Sequence, residues 1–201
     1  TKLPSQYDRE VGLTVALYGI FAALYSQESW PYLTQAFDEA FSGDGSTLLL
    51  LADFYNDKDP EGGYLSNIAE ANTAINCADE RPAPQDFARD KQAAIDASAV
   101  FGKYFAFPEL SCLGWPEGKS MVELDYSVAL EFGPLVIGTT GDPATPYEQA
   151  VSLSKLLSNA FLLTYQGEGH TAYGSNDCVN QYVEKYLLGA NLTSSELLCT
   201  S

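Results

Sequence analysis

Basic residues are scarce in this sequence. Ten Lys and Arg stand against 27 Asp and Glu in 201 residues, a formal net charge of −17. Phosphate recognition needs a basic footprint, so nucleic acid is disfavoured as a partner. The acidity fits solubility, or else a surface that attracts cations. Histidine occurs once, as His170. The four cysteines, Cys77, Cys112, Cys178 and Cys199, form no CxxC. A zinc site would lack ligands, so metal-dependent hydrolysis is disfavoured, and no nucleotide or cofactor motif is found. No apolar run reaches the length of a membrane span, and there is no internal repeat. The chain does not begin with Met and shows no signal peptide at Thr1, as expected of a mature or trimmed piece.

What is present describes a globular chain. Hydrophobic residues make up 46% and charged residues 18%, enough apolar surface at this length to bury a core. Leu13, Ala16, Leu17, Ile20, Phe21 and Leu24 fall at helical spacing. Ser29-Trp30-Pro31 reads as a cap with Pro in the first turn. Leu33, Ala36, Phe37 and Ala40 follow on one face, and Gly43-Asp44-Gly45 stops that helix. Ser46 is a candidate cap for a helix reaching Tyr55. Residues 56–63 read as a polar turn, Tyr64 to Ile75 as helix, and Pro84 as the start of another. The segment from Phe101 to Phe107 is ambiguous, and Cys112 to Gly118 reads as loop. A last helix is expected from about Asn176 to Leu188, with Gly189 just past its end. Residues 1–130 are therefore expected to be mostly helical.

Beyond that point the pattern changes. Leu135-Val136-Ile137-Gly138-Thr139 and Phe161-Leu162-Leu163-Thr164-Tyr165 are short apolar runs flanking one amphipathic segment. That is the form of a strand–helix–strand crossover, hence a parallel pair in an α/β fold. Asp142 lies just past the first strand and His170 just past the second, so both belong at the C-terminal edge of the sheet. A carboxylate there can bond one imidazole nitrogen and leave the other free as a base. This is the back half of a Ser-His-Asp triad in the order Ser…Asp…His. Each residue also has a plainer reading. A lone histidine is more often structural, and Asp142 could cap the helix behind it. Thr145 could support the Asp142 carboxylate or cap that helix itself. Glu168 could lend charge to the site or simply be solvated.

Gly141-Asp142-Pro143-Ala144-Thr145-Pro146-Tyr147 and Gly167-Glu168-Gly169-His170 resemble the C-terminal signature of the secreted tripeptidyl-aminopeptidases. These are α/β-hydrolases of the proline-iminopeptidase type, found mostly in actinobacteria. The likeness extends through Cys178, Tyr186-Leu187-Leu188-Gly189 and Cys199. Upstream it takes in Trp30-Pro31, Gly43-Asp44-Gly45 and Ala74-Ile75-Asn76-Cys77-Ala78-Asp79. The resemblance implies a helical lid over residues 1–130. Residues 131–201 would form the end of the hydrolase core, with its last two strands and helices in a short parallel sheet. It also implies disulfides Cys77–Cys112 and Cys178–Cys199, and with them an oxidising, extracellular location.

The resemblance assigns Asp142 as triad acid and His170 as base. The chain contains no G-x-S-x-G elbow for a nucleophilic Ser. In the family that elbow and the oxyanion donors precede the lid, so they would lie N-terminal to Thr1, and this stretch alone would be inactive. The implied activity is release of tripeptides or short peptides from free N-termini, with no cofactor. Lid carboxylates would recognise the α-ammonium group, and Asp79, Glu70 and Glu28 are candidates. The strand at Leu135–Thr139 would expose an edge, which the missing N-terminal half, a second chain or lid residues would cover. Two alternatives are an esterase or lipase on the same scaffold and a non-catalytic module that binds peptide or a partner. Asn191-Leu192-Thr193 is a glycosylation sequon whose use is not expected in a bacterial protein.

Overall fold

A computed structural model describes residues 2–59, 62–79, 87–106, 108–116, 125–126 and 130–201. Helices come first: α1 (Leu13–Leu24), α2 (Trp30–Phe41), α3 (Ser46–Tyr55), α4 (Ile68–Asp79), α5 (Phe87–Ala97) and the single turn α6 (Gly102–Phe105). Then β1 (Leu135–Gly141), α7 (Tyr147–Leu156), β2 (Phe161–Glu168), α8 (Asp177–Leu187) and β3 (Glu196–Thr200) alternate. Two compact units result, one from residues 1–64 with 124–201 and the other from residues 65–123. The change of hydrophobic period near residue 130 marks a change of element type, and among the described residues every strand follows it. The compact units divide the chain differently, because α1–α3 fall in the unit that holds the strands.

The strands form a parallel sheet in the order β1-β2-β3. Leu135 faces Phe161 and Thr139 faces Tyr165, after which the register slips by a bulge and Gly141 faces Glu168. Alternation sorts the side chains of β2 and β3. Leu163 and Tyr165 join Leu197 and Cys199 in a core closed by Val179 and Val183 of α8. Helix α7 packs against the sheet through Gly138, where a Cβ would lie 2.8 Å from that of Ala150. The Tyr147 and Thr164 hydroxyls meet there at 2.7 Å. In the same unit α1–α3 bury Val11, Ala36, Leu48 and Leu49. The Arg9 guanidinium grips the buried Asp53 carboxylate with two hydrogen bonds of 2.6 and 2.8 Å, tying the N-terminal segment to α3. In the second unit a disulfide joins Cys77 on α4 to Cys112.

Several local expectations are corrected. Ser29 makes no side-chain cap. Instead Ser26 accepts from the Glu28 N–H and starts a 3-10 turn, Gln27–Ser29, that runs directly into α2. Ser46 is the first residue of α3, and the capping acceptor is Asp44, which takes the Ser46 N–H at 2.9 Å. The helix expected from Tyr64 begins at Ile68, because Tyr64 bridges to Lys58. The ambiguous stretch after Val100 contains α6, while Phe107, like Pro84, falls outside the described residues. Asn176 is the N-cap of α8, accepting from Cys178 and Val179, and Gly189 ends that helix at φ +78°. The tail is a third strand where two strands were expected. Its Cys199 is bonded to Cys178 in the first turn of α8.

That disulfide closes a separation of 21 residues. A loop of this size restrains the unfolded chain by ~3 kcal/mol. Replacing Cys178 and Cys199 together by Ser should lower the unfolding free energy in urea by about that amount. A loss below about 1 kcal/mol would mean that apolar packing alone holds β3.

Candidate active site

Parallel pairing brings the C-terminal ends of β1 and β2 to one edge of the sheet, and the loops leaving them carry Asp142 and His170. The bulge before Gly141 bends β1 at its rim, and the Asp142 N–H closes a turn on the Thr139 carbonyl at 3.3 Å. His170 Nδ1 then lies 3.0 Å from each carboxylate oxygen of Asp142. An ionised carboxylate only accepts, so a neutral imidazole carries its proton on Nδ1 and keeps a lone pair on Nε2. Nε2 has no hydrogen-bond partner among the described residues. The Asp142 side chain is 5% exposed and that of His170 29%, so the acid is sequestered while the imidazole opens to its surroundings.

Three further donors converge on Asp142. The Ala144 and Thr145 amides reach Oδ1 at 2.8 and 2.9 Å, and the Thr145 hydroxyl reaches Oδ2 at 2.9 Å. Pro143 sets this turn, in which the side chain of Asp142 organises the backbone ahead of α7. Burial opposes the charged form and is the largest single influence on Asp142. The Thr145 and Ala144 amides, His170 and the Thr145 hydroxyl together outweigh it and hold the carboxyl below its ordinary 3.8. Thr145 thus touches the carboxylate twice and offers no side-chain cap to α7.

His170 sits at the meeting of two clefts. One, of about 310 Å³, runs along Val136–Thr139 of β1 past Asp142 and Thr145 to α7. The other, of about 500 Å³, is more polar and is lined by Tyr25, Glu28, Glu168 and Ser175. Glu168 is exposed at the end of β2, with its carboxylate over Gly141. Of the three proposed amine-binding carboxylates, Glu28 shares a cleft with His170, whereas Glu70 and Asp79 belong to the other compact unit. Among the described residues no three His, Cys, Asp or Glu side chains are grouped to hold a metal ion.

Tyr25 is the neighbour that sequence reasoning missed. Its carbonyl accepts the His170 N–H at 2.8 Å, and its ring meets the imidazole edge-on with centroids 5.0 Å apart. Its hydroxyl lies 3.3 Å from that of Tyr55. Burial, then the Tyr55 contact, push the Tyr25 phenol up to about 12, so it stays neutral at ordinary pH. Only its place at the end of an apolar helix marked it in the sequence, and that is no signal for a contact with residue 170.

The Asp142 shift fixes a pH dependence. Its folded-state value lies below the unfolded value near 4. The stabilisation is therefore complete above that unfolded value and fades as pH falls through the folded-state one. In urea titrations from about pH 6 to pH 3, the stability excess of wild type over Asp142→Asn should shrink on acidification. An excess that stays constant or grows would contradict the hydrogen-bond network described for the carboxylate.

Comparison with known proteins agrees with this architecture. The family model of TAP-like proteins, of the α/β-hydrolase class, matches residues 97–199. Serine protease Hip1 of Mycobacterium tuberculosis is 34% identical over 197 residues, covering 95% of this chain and 38% of that protein. Carboxylesterase B of the same organism is 36% identical over 194 residues, covering 92% and 36%. Tripeptidyl aminopeptidase of Streptomyces lividans is 28% identical over 185 residues, covering 89% and 34%. The chain thus spans little more than a third of the length of these relatives, all of which carry the names of hydrolases. By its motifs, its parallel sheet and the family match, the chain belongs to the TAP-like family of α/β-hydrolases.

Proposed function

We propose that this chain supplies the acid and the base of a serine peptidase that releases tripeptides or other short peptides from free N-termini. The observation that carries the reading is the contact of His170 Nδ1 with both oxygens of Asp142, at adjacent parallel strand ends. In this role His170 Nε2 takes the proton of a Ser hydroxyl as it attacks the scissile carbonyl, then returns it to the leaving amine. Asp142 keeps the imidazole in the right tautomer and stabilises the imidazolium. Thr145 holds the carboxylate still.

The Ser and the oxyanion donors would come from a part of the protein N-terminal to these residues, because no G-x-S-x-G occurs in this sequence. The same part would pair with the free side of β1, which has no strand beyond it among the described residues. Without it the chain would be inert. The two disulfides support an extracellular location. Among the described residues no helix is long and apolar enough to cross a membrane. Glu28 is the best-placed candidate to receive the α-ammonium group of a peptide, since it lines a cleft with His170.

Esterase activity on the same scaffold is the second reading, favoured by the likeness to carboxylesterase B. The full-length protein would be assayed on a tripeptidyl amide and on a p-nitrophenyl ester. Peptidase function gives the higher kcat/KM on the peptide. In that assay His170→Ala should lower kcat by roughly 10⁶-fold and Asp142→Asn by roughly 10⁴-fold. Thr145→Ala, which removes one bond to a charged acceptor, should lower it by roughly 10–100-fold. Full turnover by His170→Ala would exclude the triad reading, and turnover of esters alone would replace the peptidase by an esterase.

A further inference from the structure

We propose that Tyr25 is a positioning residue for His170, acting through its ring and its backbone carbonyl. The inference rests on the reading of His170 as the base. The loop that carries His170 is held in a conformation that chains avoid. Gly169 has φ +105° and Thr171, a β-branched residue, has φ +64°, so the histidine is bracketed by two left-handed residues. Such a conformation persists only where neighbours over-determine it.

Asp142 restrains one atom of the imidazole, which still leaves the ring able to swing with its loop. Tyr25 supplies the second restraint, from the opposite end of the residue. It lies at the C-terminal end of α1, where helix carbonyls lack intrahelical donors. Its carbonyl takes the His170 N–H at 2.8 Å and lies 3.1 Å from where a Cβ on Gly169 would stand. Glycine at 169 suits this φ, and a Cβ there would crowd the Tyr25 carbonyl. The Tyr25 ring meets the imidazole at 70°, the edge-to-face arrangement that aromatic rings prefer.

The Tyr25 ring is itself fixed. Tyr55 of α3 packs against it edge-on with centroids 5.7 Å apart, and Tyr18 of α1 packs on Tyr55 at 5.6 Å. A wall of three tyrosines from α1 and α3 therefore backs the histidine loop. During turnover the imidazole must present Nε2 to the nucleophile and then to the leaving group without rotating away. The wall resists that rotation. Its effect falls on kcat more than on KM.

The test uses the full-length protein with Tyr25→Phe, Tyr25→Leu and His170→Ala. Tyr25→Phe keeps the ring and should stay within about threefold of wild type in kcat. Tyr25→Leu keeps bulk without a ring and should lose roughly tenfold or more in kcat while KM stays within about threefold. With ¹³C-labelled histidine and tyrosine, ring resonances absent from His170→Ala should show an NOE to a tyrosine ring that disappears in Tyr25→Leu. Unchanged kcat in Tyr25→Leu, an equal loss in Tyr25→Phe, or absence of the NOE in wild type would each overturn the proposal. The NOE and the Tyr25→Phe kinetics decide the matter even if Tyr25→Leu does not fold. An inert His170→Ala beside a fully active Tyr25→Leu would refute the role of Tyr25 alone. A fully active His170→Ala would refute the functional reading beneath it.

Discussion

Parallel pairing of β1 with β2 is the constraint from which the candidate site follows. Because both strands run the same way, their C-terminal ends finish side by side, and the loops that leave them must share one edge. A register slip of one residue would turn Leu163 and Tyr165 out of the core beneath α8. The apolar packing that fixes the sheet therefore also fixes the separation of Asp142 from His170. Helix α7 sets the distance between strands along the chain, and Gly138 lets it lie close to the sheet.

Electrostatics at the site follow from the same placement. A carboxylate as enclosed as that of Asp142 would resist ionisation if it stood alone. Two amides of its own turn, a threonine hydroxyl and the imidazole reverse that tendency. The turn is thus both a local structure and an acceptor prepared for the histidine. On the far side of His170 the restraint is aromatic and backbone in nature, and it comes from helices more than 100 residues earlier in the chain. Helices α1 and α3 are in this sense part of the site's support.

The sequence made some of this legible and hid the rest for physical reasons. Apolar runs bounded by Pro134, Gly141 and Gly167 identify β1 and β2, because strands inside a parallel sheet read as continuous hydrophobic segments. Asp142-Pro143 and Gly169-His170 mark the loops, since turns need such residues. Helix α1 is written in its period. Strand β3 was not legible. Glu196–Thr200 alternates as a strand should, yet only its pairing with Leu162–Gln166 makes it one, and pairing is not local. The start of α4 was displaced for a similar reason, as Tyr64 is engaged by Lys58. Ser26 displaced Ser29 as a cap because a 3-10 turn precedes α2, and helix period does not encode that turn. Tyr25 was invisible because its contact with His170 spans most of the chain.

The most direct measurement is the tautomeric state of the single histidine, read from imidazole ¹⁵N shifts and ring couplings of the folded protein. At a pH where the ring is neutral, the proton should reside on Nδ1, with Nε2 showing the shift of an unprotonated nitrogen. Asp142→Asn should abolish that preference, because an amide can donate as well as accept. A proton found on Nε2 in the wild type would mean that the carboxylate does not hold the ring, and the pairing on which the site depends would be contradicted.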